Sequence, residues 1–225
     1  MRTKLFFYVL ILLFISCTPK LEVKINNSKE VLLSVNILPS NATKKLISSL
    51  SKFGSASNNK EENISNIKME NGLEIISFKK TSSLEINANL KINDINQLKE
   101  AILKLDTEKK HLAFSLDRKN LQSFFLNISD EEKEYLELLM APSLQGDNIT
   151  KDEYLNLIAS AYGKTISNEL KNSYLNIKFE APDKIKKIVI KPKAQHTLKN
   201  KTLEIKIPLT NILVMEENIK IELNY

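Results

Sequence analysis

An α+β fold is what this sequence predicts: an antiparallel sheet with packed helices, and a helical pair inserted before the C-terminal strands. Three observations lead there. Apolar and polar residues alternate over 31–37, 84–92, 203–207 and 219–223, the period of half-buried strands. Between these runs, apolar residues recur at helical spacing over 42–53, 94–105 and 151–171. Two capping boxes, Ser129 with Glu132 and Thr150 with Glu153, mark helix starts in the middle of the chain.

The elements follow in order. Residues 21–38 read as two strands turning at Asn26-Asn27-Ser28, with Val31, Leu33, Val35 and Ile37 on one face and Pro39 as the stop. A helix over 42–53 carries Leu46, Ile47, Leu50 and Phe53 on one stripe, and Gly54 is placed to end it. Residues 55–68 are rich in Ser, Asn, Lys and Glu and read as a loop. A hairpin is expected over 72–92, with Leu73, Ile75 and Ser77 on one side of its first strand. Asn93 or Asp94 caps a helix through Leu105, and His111 to Leu116 forms one more strand.

The helical insertion spans about 129–172. Its first helix covers about 130–141 and stops before Pro142; its second runs unbroken over about 151–171. Asp130, Glu131 and Glu132 sit in a first turn, where carboxylates offset the helix dipole. From Tyr174 the pattern returns to strands, through Ile188-Val189-Ile190, Leu203 to Ile207, and Ile219 to Leu223. The stretch from Pro208 to Leu213 interrupts them. The expected organisation is a leader over 1–16 and a single domain over 17–225.

The leader rests on the first seventeen residues. Arg2 and Lys4 precede an unbroken apolar run from Leu5 to Ile15. Eleven helical residues cover roughly 16 Å, about half a bilayer core, which suits a signal-peptide core better than a membrane span. Ser16 supplies the small side chain a signal peptidase needs beside the cut. Cys17 follows, with a thiol that can accept a diacylglyceryl group. Phe14-Ile15-Ser16-Cys17 resembles the lipobox of bacterial lipoproteins in the loose form known from spirochaetes, although Phe14 stands where Leu is usual. The alternative is an ordinary secretory signal with an incidental Cys. Cys17 is the only cysteine of the chain, so it has no internal partner, and acylation accounts for it.

Composition and motifs restrict the chemistry. The formal charge is +6 for the full chain and +4 once Arg2 and Lys4 are removed with the leader. The two histidines, His111 and His196, are far apart, and no His-x-x-x-His or Cys-x-x-Cys spacing exists for zinc. The four glycines form no phosphate loop, and no Gly-x-Ser-x-Gly elbow occurs. Neither enzyme nor cofactor is expected. One charge feature stands out: Lys184, Lys186, Lys187, Lys191, Lys193, Lys199 and Lys201 fall within eighteen residues. No Arg or aromatic interleaves them, so nucleic acid is not the expected partner. They read either as a solvated hairpin or as a patch facing anionic head groups.

Tyr174 to Pro182 ("YLNIKFEAP") and the segment "KTLEIKIPLTNILVMEENIKIELNY" resemble the extracellular domain of LppM-like lipoproteins, over about 21–38 and 174–225. The resemblance implies an envelope domain that contacts lipid or another amphiphile. It carries no functional residue over. The expected role is therefore a lipid-anchored envelope lipoprotein, membrane-bound through Cys17, acting as a non-catalytic binding module for an amphiphile or a partner protein. Tyr162 is the candidate ligand contact, because its ring is apolar and its hydroxyl polar. The alternative is a structural or surface-interaction lipoprotein with no ligand pocket.

Overall fold

Strand alternation organises most of the chain. The computed structural model describes residues 19–26, 30–38, 62–68, 73–82, 85–95, 102–126 and 148–225, together with Pro142, Gln145 and Gly146. The expected helices over 42–53 and 130–141, the caps Ser129 and Gly54, and Cys17 itself lie outside these residues.

The strands are β1 (Lys20–Ile25), β2 (Val31–Ile37), β3 (Glu62–Lys68), β4 (Leu73–Ser82), β5 (Glu85–Ile92), β6 (Leu103–Asp106), β7 (His111–Leu116), β8 (Tyr174–Glu180), β9 (Lys187–Lys191), β10 (Gln195–Lys199), β11 (Thr202–Pro208) and β12 (Ile219–Asn224). The helices are α1 (Arg118–Leu126), α2 (Lys151–Tyr162), α3 (Lys164–Lys171) and α4 (Leu209–Val214). The α+β class holds; of the expected helical pair, the first member lies outside the described residues and the second is divided into α2 and α3.

The strands make two sheets rather than one. The larger has eight strands in the order β10-β11-β8-β1-β2-β5-β4-β3, and the smaller has four in the order β6-β7-β12-β9. All pairings are antiparallel except β1 with β8, which run parallel and join the N-terminal strands to the C-terminal ones. Inward residues Leu21, Val23 and Ile25 of β1 sit beside Val35, Leu33 and Val31 of β2, so the two strands form one continuous apolar face. One continuous cluster of buried side chains takes residues from both sheets and from α2, α3 and α4. The two sheets thus share a core.

Several elements differ from the sequence expectation. Glu62–Lys68, expected as loop, is strand β3, hydrogen-bonded along β4. In β4 the register shifts between Ile75 and Ser77. That shift turns Phe78 inward (1% exposed), leaves Ile76 39% exposed, and sends Ser77 outward to accept a bond from Asn89. Ser77 is therefore not on the core face with Leu73 and Ile75. Leu105 belongs to strand β6, not to a helix. Leu103 and Leu105 are buried opposite Phe114 and Leu112, and the Asp106 carboxylate accepts from the Lys109 N–H to close the turn.

The helix expected over 151–171 is two helices. The capping box at its start is present: Thr150 Oγ1 accepts from the Glu153 N–H, and Glu153 accepts from the Thr150 N–H. Gly163, at φ +91° and ψ 156°, ends α2 and begins α3. That backbone conformation is essentially closed to residues with a Cβ, so the helix cannot pass through it. The Ser167 hydroxyl then donates to the Leu155 carbonyl at 2.8 Å, pinning α3 back on α2. Both helices lean on α4, whose six residues are all buried. The break in the C-terminal strand pattern is this internal helix. Leu209 N–H donates to Ser173 O at 2.9 Å, tying it to the start of β8.

Candidate functional site

The register of the larger sheet places its outward side chains in rows that cross the strands. A middle row runs Ser77, Asn89, Ser34, Glu22, Lys178, Glu204 and Thr197. It is knitted by Ser34 Oγ to Asn89 at 2.7 Å, Asn89 to Ser77 at 2.8 Å, and the Glu22–Lys178 ion pair at 3.7 Å. A second row runs Glu74, Lys91, Leu32, Lys24, Glu180, Thr202 and Lys199. Here Lys24 pairs with Glu180 at 2.8 Å and Lys91 with Glu30 at 2.6 Å. The ammonium beside each of these carboxylates, through its hydrogen bond, holds Glu180 and Glu30 below the ordinary carboxylate value.

The third row has a different character. It runs Lys79, Asn87, Asn36, Lys20, Asn176, Lys206 and Gln195. It contains three lysines, four amides and no carboxylate. Asn36 donates to Asn87 at 2.5 Å. Lys20 opens β1, three residues after Cys17. Pro19, just before it, is buried, and its carbonyl accepts from the Asn176 N–H at 2.9 Å. The chain is therefore fixed in the sheet within two residues of Cys17.

The seven lysines of the 184–201 segment are all exposed but do not form one cluster. Lys199 and Lys201 flank the tight turn at Asn200, and Lys201 Nζ donates to the Pro182 carbonyl. The Ile185 N–H donates to Asn200 O, which keeps Lys184 and Lys186 beside that turn. Lys187 pairs in register with Asn224 at the same end of β9. Strand β9 then runs away from that turn, and Lys191, opposite Lys220 in the smaller sheet, and Lys193 lead by chain to Gln195, which shares a row with Lys20. The segment around His196 is edge strand β10, exposed at every position. Its hydrophobic content gives no alternation, because neither face is covered. His196 bonds only locally, Nδ1 to Ala194 O at 3.1 Å.

Tyr162 ends α2, half-buried against the core. Burial first, and the neighbouring Tyr162 second, push the Tyr154 hydroxyl well above the ordinary phenol value. Tyr154, one of the residues at helical spacing over 151–171, is the fully enclosed member of the pair. Among the described residues no buried side-chain nitrogen or oxygen lacks a hydrogen-bond partner, and no group of three or more His, Cys, Asp or Glu is placed to hold a metal ion. Nor is any described helix long and apolar enough to cross a membrane.

No family model matches the chain, and no curated protein or solved structure is similar to it.

Proposed function

We propose that this chain is an envelope lipoprotein, acylated on Cys17 and held against a membrane, whose folded part is a non-catalytic binding module for an amphiphile or a partner protein. The observation that carries the anchor is the join between motif and fold. An apolar run and Ser16-Cys17 are followed, two residues later, by a proline built into the middle of the larger sheet. A leader cut before Cys17 leaves every described strand of the sheet intact. The resemblance to LppM-like domains supports the amphiphile side of this proposal through the strand–helix–strand order of β11, α4 and β12.

The cover of the core is where such a ligand would be received. The pair α2–α3 rests on α4, hinges at Gly163, and carries Tyr162 half-buried at its joint. Leu157 on the outer side of α2 is 59% exposed, which supports the alternative of a surface-interaction lipoprotein through that helix.

The test has two arms. Radiolabelled palmitate is expected to enter the wild-type chain and not Cys17→Ser; equal labelling of both rejects the anchor. Native mass spectrometry or organic extraction of the chain purified from its own envelope is expected to release a bound amphiphile. A protein that comes out lipid-free apart from its anchor, and captures no partner, favours the structural alternative.

A further inference from the structure

We propose that the Cys17 end of the larger sheet is a membrane-contact surface, in which Lys20, Lys79 and Lys206, with Lys193 and Leu38 beside them, lie on an anionic head-group layer. This rests on the reading that Cys17 carries the lipid.

Tether length sets the geometry. One residue, Thr18, separates Cys17 from the buried, hydrogen-bonded Pro19, a span of at most about 7 Å. A lipid on Cys17 therefore brings the start of β1 to the head groups, with no slack for the domain to turn over. Strands β1 and β8 both start at this end, while β2 and β11 finish here. The carboxylate-free row is thus the outward row closest to the membrane among those that cross the sheet.

Charge complementarity selects the occupant. The row offers three exposed ammonium groups among amides that can donate to phosphate oxygens. Lys193 adds a fourth, two residues before Gln195. Leu38, one step beyond Asn36 on the same side of β2, is 46% exposed and can enter the apolar boundary. Along the strands the nearest described carboxylates beyond the row are Glu62, one residue past the Asn63–Lys79 pair at the start of β3, and Glu85, at the start of β5. The row behind it is different: there Glu22 is paired with Lys178.

Distance excludes the other basic end. Lys24 lies four residues further along β1 than Lys20, about 13 Å at strand rise. With a screening length of about 8 Å at physiological salt, a surface field falls to about one-fifth over that distance. Lys199 and Lys201, at or beyond the Lys24 row, contribute little, although the sequence groups them with Lys193.

The experiment uses the full chain purified from membranes in detergent. The mass of its N-terminal peptide reads acylation of Cys17 separately. The protein is then reconstituted into vesicles of phosphatidylcholine alone, or of phosphatidylcholine with phosphatidylglycerol, and its lysines are acetylated and read peptide by peptide. Lys20, Lys79, Lys193 and Lys206 are expected to react several-fold more slowly in the anionic vesicles, with the difference lost in high salt. Lys199 and Lys201 are expected to react alike in both. The variant Lys20→Gln/Lys79→Gln/Lys206→Gln is expected to lose the salt-sensitive slowing at Lys193. Slowing at Lys199 and Lys201, or no difference between the two vesicles, overturns the surface while leaving an acylated Cys17 intact. A mature chain with bare Cys17 overturns the anchor and this surface together.

Discussion

Gly163→Ala sets two descriptions of residues 151–171 against each other. Inside a continuous helix, Ala in place of Gly adds about 0.5–1 kcal/mol of stability, since Gly loses more backbone freedom on folding. The structure gives the opposite sign. Gly163 sits at φ +91° and ψ 156°, between α2 and α3. A Cβ built there meets nothing within 4 Å, so it neither clashes nor gains packing. What remains is backbone strain, about 1–3 kcal/mol and near the upper figure in a region reserved for Gly. Reduced freedom of the unfolded chain offsets about 0.4–1 kcal/mol. The expected net loss is about 2 kcal/mol. For a chain of this size that is a fall of about 4–8 °C in Tm. Thermal unfolding of the detergent-solubilised chain, followed by far-ultraviolet circular dichroism, measures it. A rise in Tm would refute the two-helix account and restore a single helix through Gly163.

Other perturbations probe the same region. Thr150→Ala removes the side-chain half of the capping box and is expected to lower stability by about 1 kcal/mol, read by denaturant melts. Bonds from Thr150, the backbone N–H first, hold the Glu153 carboxyl below its ordinary value. Its stabilisation is therefore present above the unfolded carboxylate value and lost as pH falls through the lowered folded one. The stability gap between wild type and Glu153→Gln should narrow in that acid range; a gap that is constant with pH contradicts the assignment. Ile158, 3% exposed, is expected to cost about 2–5 kcal/mol as Ile158→Ala if α2 simply closes the core. A smaller loss, with less lipid extracted from Ile158→Ala and Tyr162→Ala than from wild type, would instead mark α2 as a lid.

What the sequence made legible follows where burial is one-sided. Strands β1, β2, β5, β7, β11 and β12 each bury alternate residues, and each is readable as period two. Where both faces share one environment the signal vanishes. Strand β10 is exposed throughout and helix α4 is buried throughout, so neither shows a periodicity. The shift in β4 moves the inward set from Ile75 to Phe78, and its partner β3 pairs Ser65 with Ser77 but Ile67 with Ile75, which spoils alternation in both strands. In the α2–α3 segment the apolar stripe continues across Gly163, since α3 folds back on the same core. Only the glycine betrays the break. The basic segment shows the limit for the site: seven lysines close in sequence are parted by a strand reversal, whereas Lys20, Lys79 and Lys206 meet only through sheet register.

The parallel joint between β1 and β8 has a consequence for how the molecule is made. Some 150 residues separate the two strands, yet each supplies the other's neighbour in the sheet. Until Tyr174–Glu180 is available, β1 has one side paired with β2 and the other open, and the C-terminal group β8-β11-β10 has nowhere to dock. Contacts so distant in sequence form slowly, because a long loop must close before they reward it. For a chain threaded N-terminus first through a membrane, this makes completion of the sheet a late event. On the proposed export, the half-built edge must be kept from pairing with other chains until β8 has crossed as well. A chain cut short before Tyr174 is expected to leave that edge open and to aggregate.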